Sequence, residues 1–113
     1  MQMNFIPAPV PELTLSGEKL PQYGFAPGTP IKLLFKDAAL WITPVNDDAI
    51  WQALCEATQF DSTLGADWVR DNGDISIGGD WLTDIDISGL EQLEITYAPT
   101  IIKIQRRTGV FQA

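Results

Sequence analysis

Residues Leu13 to Thr43 and Ile75 to Gln105 of this chain match without a gap, position n against position n + 62. Few residues are identical, yet the apolar ones coincide along the whole length. Leu13, Leu15, Leu20, Tyr23, Phe25, Ile31, Leu33, Phe35, Leu40 and Ile42 fall on Ile75, Ile77, Leu82, Ile85, Ile87, Leu93, Ile95, Tyr97, Ile102 and Ile104. Gly17 falls on Gly79, and Glu18 on Asp80. A pattern kept while its residues change means the same strands and turns used twice. The expected product is a pseudo-dimer folded from one chain.

A chain of 113 residues is one domain, or two small units sharing a core. It can bury roughly two thirds of its unfolded surface and fold without staples. One cysteine, Cys55, excludes an intramolecular disulfide and a multi-cysteine zinc site, and a reducing, cytoplasmic setting is expected. The segment Met1 to Pro7 lacks a basic region followed by an apolar run, so no signal peptide is expected there. No apolar stretch approaches the ~20 residues that cross a bilayer. The net charge of −8 repels phosphate backbones at long range. The absence of histidine removes the usual general base at neutral pH and the commonest metal ligand. No cofactor is implied.

The alternation of apolar and polar residues predicts a mainly β chain with short helices. Prolines at 7, 9 and 11 make the start an extended arm or edge segment. Leu13 to Leu15 reads as a half-buried strand and Glu18 to Tyr23 as about one helical turn. Gly24 to Pro30 reads as a turn. Ile31 to Lys36 and Leu40 to Thr43 form a hairpin, with Ile31, Leu33 and Phe35 on its inner face. Asn46 is the expected cap of an amphipathic helix over Asp47 to Thr58, whose stripe is Ile50, Ala53, Leu54 and Ala57. Asp61 to Ala66 is expected as a loop. Asn72-Gly73, between Trp68-Val69-Arg70 and Ile75-Ser76-Ile77, signals a short hairpin. The second copy repeats the order: a helical turn over Asp80 to Asp84, then strands over Leu93 to Tyr97 and Ile101 to Arg106. The organisation is a single domain over 1–113: a first repeat with its arm (1–45), a connecting helix and loop (46–65), a second repeat (66–107) and a tail (108–113).

The run from Leu13-Thr14-Leu15-Ser16-Gly17-Glu18-Lys19-Leu20 through Gly24-Phe25-Ala26-Pro27-Gly28-Thr29-Pro30-Ile31-Lys32-Leu33 resembles the SymE-like toxins of bacterial type I toxin–antitoxin systems. Those in turn resemble the AbrB and MazE swapped-hairpin domains. Ile75-Ser76-Ile77-Gly78-Gly79-Asp80-Trp81-Leu82 keeps the pattern in the second copy. There the loop departs, as Asp86-Ile87-Ser88-Gly89-Leu90 replaces Gly24-Phe25-Ala26-Pro27-Gly28. The resemblance implies two tandem AbrB-like strand–turn–hairpin repeats forming a pseudo-two-fold swapped-hairpin barrel, with one connecting helix. Such units normally pair between chains; two on one chain would pair internally, at high effective concentration. A pseudo-dimeric monomer is expected, with a homodimer as the alternative. The resemblance further implies a toxin-type protein that binds nucleic acid, RNA or DNA. Translation repression or RNA cleavage would follow by family likeness alone.

The chain's own cations bear on that reading. Lys32 and Lys36 share the outward face of one strand. Lys103 is the outward residue of the last strand, with Arg106 and Arg107 beside it. If the strands are neighbours, these five form one phosphate-binding patch; otherwise they are the solvated lysines that guard sheet edges. Trp81 falls on Lys19, so it is expected at the surface as a contact residue. The carboxylates Asp80, Asp84, Asp86, Glu91 and Glu94 lack the spacing of a metal loop, and Asp80 reads more simply as a helix cap. No metal site is expected. Cys55 has no base beside it and reads as a buried structural thiol. No residue presents itself as a catalytic acid or base. The contrasting reading is an acidic protein-interaction module or antitoxin-like partner that binds no nucleic acid.

Overall fold

The computed structural model describes residues 2–6, 12–85 and 93–107. Among them are eight strands: β1 (Gln2–Ile6), β2 (Glu12–Ser16), β3 (Pro30–Lys36), β4 (Ala39–Pro44), β5 (Leu64–Trp68), β6 (Ile75–Ile77), β7 (Leu93–Ala98) and β8 (Ile101–Arg106). A 3-10 turn spans Leu20–Tyr23, and two helices are α1 (Asp48–Ala57) and α2 (Gly79–Asp84). The expected proline arm at 7–11, the divergent loop at 86–90, Glu91 and the tail at 108–113 lie outside the described residues.

The class is mainly β, and the repeat is visible in the strand pairing. β2 pairs antiparallel with β6 through Leu13↔Ile77, Thr14↔Ser76 and Leu15↔Ile75. Thr14 and Ser76 are the same position in the two copies, so a pseudo-two-fold axis passes between them. β4 pairs with β8 in the same manner, through Leu40↔Ile104, Trp41↔Lys103 and Ile42↔Ile102. Trp41 and Lys103 are again one position seen twice. The two copies therefore meet at two points along one axis.

The strands do not close a barrel. They form a three-stranded sheet, β1-β2-β6, and a five-stranded sheet, β5-β3-β4-β8-β7, and no ladder joins the two. The core lies between these sheets. Leu13, Leu15, Ile75 and Ile77 come from the small sheet, and Ile31, Leu33, Leu40, Ile42, Ile102 and Ile104 from the large one. Leu20, Phe25 and Leu82 are also fully enclosed. Each such side chain contributes about 1.5–3 kcal/mol by leaving water. Most of the matched apolar positions are thus in the core, with Tyr23, Phe35, Ile95 and Tyr97 packed against it and Ile87 outside the described residues. Gly24 sets the geometry of the loop after the 3-10 turn: its φ of 98° is one that side chains disfavour, and it lets the Phe25 N–H reach the Leu20 carbonyl at 3.0 Å.

Between the copies the structure differs from expectation in four places. Asp47, not Asn46, caps α1, its Oδ1 accepting from the N–H groups of Ala49 at 2.8 Å and Ile50 at 3.1 Å. The helix's apolar stripe shrinks to Leu54, while Ile50 stays 59% exposed. Leu64 to Trp68, expected mostly as loop, is a strand on the outer edge of β3, with Gly65 opposite Leu33 and Asp67 opposite Ile31. Asn72-Gly73 makes its tight turn, with the Arg70 N–H on the Asp74 carbonyl at 2.8 Å, but no hairpin follows. β5 and β6 belong to different sheets, so the turn is a corner between layers. Each of the two strands pairs instead with a strand distant in sequence, β5 with β3 and β6 with β2.

Trp81 is corrected too. It is half-buried, and a Cβ added to Gly65 would lie 2.6 Å from its Cζ2 and 3.4 Å from the Leu33 Cβ. The indole seals β5 against α2 and needs a residue without a side chain beneath it. Gly65→Ala is expected to cost about 1–3 kcal/mol through overpacking, and pairing it with Trp81→Ala should relieve part of that loss; urea unfolding of the two single variants and the double variant measures this. Asp47→Ala should cost about 1 kcal/mol through the lost cap, read by the same measurement.

Candidate nucleic-acid interface

The alternation that buries Ile31, Leu33, Leu40, Ile42, Ile102 and Ile104 turns the intervening residues to the outer face of the large sheet. Register fixes their neighbours. Lys32 lies beside Thr43 and Ala66, Leu34 beside Trp41 and Leu64, and Lys36 beside Ala39. Lys103 lies beside Trp41 on one side and Thr96 on the other.

Trp41 is the centre of this face. Its ring carries the Lys103 Nζ 4.7 Å above its centroid, and its Nε1 donates to the Lys36 carbonyl at 3.1 Å. The ammonium over the indole adds about 0.5–1 kcal/mol of cation–π attraction and orients Lys103 across the sheet. Lys32 and Lys36 stand about 13 Å apart along β3, and Lys103 lies two strands, about 9.5 Å, to the side of their midpoint. A groove of about 320 Å³ lies on the β3 side of Trp41, lined by Lys32, Leu34, Lys36, Asp37, Trp41, Thr43 and Ile101; Lys103 stands outside it, over the indole. Asp37 sits in the hairpin turn at one end. Glu94, on the far strand of the same face, accepts from the Gln105 side-chain amide.

Of the five expected cations the structure brings together three. Arg106 is opposite Leu93, which puts it on the inward parity of β8, at the exposed end of the strand and away from Lys103. Arg107 lies past the strand end, its Nη2 donating to the Leu93 carbonyl at 3.2 Å. A single patch of five is excluded by the period of two along β8: Lys103 and Arg106 are an odd number of residues apart and point to opposite sides.

A second cationic groove went unread in the sequence. Arg107 shares it with Lys19, Tyr23, Met3 and the β7 residues Leu93 to Ile95 and Tyr97, around about 580 Å³. Tyr23 and Tyr97 stack within it, their centroids 6.3 Å apart at 21°. Lys19 and Arg107 lie at opposite ends of the chain, and no spacing rule links them.

The described residues contain no cluster of three or more ligands able to hold a metal ion. Asp80 sits in the first turn of α2, whose N-cap is Gly78 and has no side-chain cap, so it is not the cap expected of it. Cys55 is half-buried on α1 rather than enclosed. The Asp61 carboxylate is held below its ordinary value, first by the Thr63 hydroxyl and then by the Thr63 N–H; this pair closes the turn into β5. None of these groups forms a nucleophile–base pair. Among the described residues no helix is long and apolar enough to cross a membrane. Searches against protein-family models, curated proteins and solved structures return no match.

Burial raises the Tyr97 hydroxyl above its usual value of 10.0. A folded-state pKa above the unfolded one stabilises the fold below the unfolded value, and that contribution is lost as pH rises through the folded value. Stability should therefore decline above about pH 10 more steeply in the native chain than in Tyr97→Phe, measured as urea midpoints between about pH 8 and pH 11.

Proposed function

We propose that this chain is a SymE-like protein in which two AbrB/MazE-type repeats are fused. In this reading it binds nucleic acid, RNA first, through the outer face of its large sheet. One observation carries the reading: Lys32 and Lys36 line a groove with Trp41, and Lys103 lies over the same indole, all on the outer face of the large sheet. A net charge of −8 opposes approach to phosphate unless cations gather locally, and this face gathers three of the seven, with Asp37 at its edge. Three lysines whose backbone positions stand about 12–13 Å apart suit the phosphates of an extended strand. Trp41 supplies a flat apolar platform between them for base stacking. The residues support binding; none is assigned to cleavage, and a translation-repressing role follows through occlusion of RNA. The swapped-hairpin ancestry is supported by the two axis contacts, where each copy's hairpin finds its partner in the other copy.

The test is binding of a fluorescent single-stranded RNA at two or more salt concentrations. Three phosphate contacts predict a slope of log K against log salt of about −2. Lys32→Ala with Lys36→Ala should weaken binding by at least tenfold and flatten the slope, as should Lys103→Ala to a smaller extent, while Lys19→Ala leaves it unchanged. No binding at low salt would remove this reading. An acidic protein-interaction module would then account for the exposed Phe60 and Trp68, 88% and 51% accessible.

A further inference from the structure

The pseudo-two-fold symmetry of the large sheet is broken at one edge. β3 carries β5 on its outer side, whereas no described strand pairs with the outer side of β7, its counterpart. By the offset of n + 62 the strand equivalent to β5 is β1, and β1 is engaged with β2 over five residue pairs. The edge of β7 therefore keeps its main-chain groups turned outward. Which groups these are follows from β3: the Phe35 N–H donates to the Thr63 carbonyl beside β5 at 2.8 Å. The equivalent residues on β7 are Leu93, Ile95 and Tyr97, and the Arg107 guanidinium already reaches the Leu93 carbonyl from that side. The 580 Å³ groove flanks this edge.

We propose that the open edge of β7 docks an extended strand of a partner protein, added antiparallel, with an apolar residue two positions before a carboxylate. β5 shows the geometry of such a guest. It sets Gly65 opposite Leu33 and Asp67 opposite Ile31, so a guest on β7 sets the corresponding residues opposite Ile95 and Leu93. Opposite Ile95 the constraint is relaxed. Gly65 is required by the Trp81 indole, and the residue equivalent to Trp81 is Lys19. A valine- or leucine-sized side chain fits there, against Ile95 and Tyr23. Opposite Leu93 a carboxylate meets Arg107, with Lys19 as the second cation of the groove, while Glu94, which also lines it, accepts from the Gln105 amide. Main-chain bonding to a sheet edge supplies affinity, and alternate side-chain pockets supply selectivity. A nucleic acid offers no complement to the outward N–H and C=O groups, so a polypeptide is the better guest.

The probe is a fluorescein-labelled peptide with the sequence of residues 62–70 and Gly65→Val, titrated into the full chain. Binding is read by anisotropy, and the site by amide hydrogen exchange. The expected result is saturable binding with new protection at the Ile95 and Tyr97 amides and none at Leu33 or Phe35. Asp67→Lys in the peptide, or Arg107→Ala in the protein, should weaken it about tenfold, the scale of one charge-assisted hydrogen bond. Lys32→Ala with Lys36→Ala should leave it unchanged, which separates this site from the RNA-binding face. Absence of saturable binding overturns the proposal. So does protection confined to another edge, or an Ile95 and Tyr97 pair already protected in the free chain, which would mean that β1 or another part of the chain holds that edge. Loss of RNA binding in Lys19→Ala and Arg107→Ala, with peptide binding absent, would reassign the groove to nucleic acid.

Discussion

The ladder between β4 and β8 is the contact on which the large sheet depends. It joins the hairpin of one copy to that of the other, and it does so around a residue pair, Trp41 and Lys103, that the repeat makes equivalent. The two residues of this pair differ in kind, one an indole and the other an ammonium. An indole and an ammonium can stack, whereas two indoles or two ammonium groups on an axis would meet their own likeness. Because both strands belong to one chain, the two positions are free to differ. A homodimer would have to repeat whichever residue it placed there.

The same asymmetry organises the rest of the surface. The core is a two-fold object, since Leu13 and Ile77, or Ile42 and Ile102, face one another across the axis. Outward positions have no such obligation. Lys32 is matched by Glu94, which leaves the cations of β3 without a counterpart on β7. Trp81 is matched by Lys19, so one half is sealed by an indole over Gly65 and the other opens into a cationic groove. Differences between copies thus coincide with the two surfaces to which function is assigned here.

Much of this was legible in the chain. Period-two alternation with β-branched and aromatic residues identified β2, β3, β4, β7 and β8, because one face of each is buried and the other is not. β5 was not legible. Leu64-Gly65-Ala66-Asp67-Trp68 has neither alternation nor strand-forming composition, and it becomes a strand only because the edge of β3 offers it hydrogen bonds. Asn72-Gly73 was read correctly as a turn and wrongly as a hairpin, since turn chemistry is local whereas the choice of partner strand is not. The five cations expected to act together separated because strand parity sends Lys103 and Arg106 to opposite sides, a consequence of spacing that could have been drawn from the sequence. The meeting of Lys19 and Arg107 could not.

By itself the sequence determined the class of fold, the 62-residue match of apolar positions, and most of the core, because burial imposes a period that survives substitution. It also determined that Lys32 and Lys36 share a face. Only the tertiary structure decided which strands became neighbours: that the described strands form two separate sheets, that Trp41 lies under Lys103, and that no described strand pairs with the outer side of β7. Pairing depends on which backbone groups other strands leave unoccupied, and that is a property of the whole assembly, not of any segment within it.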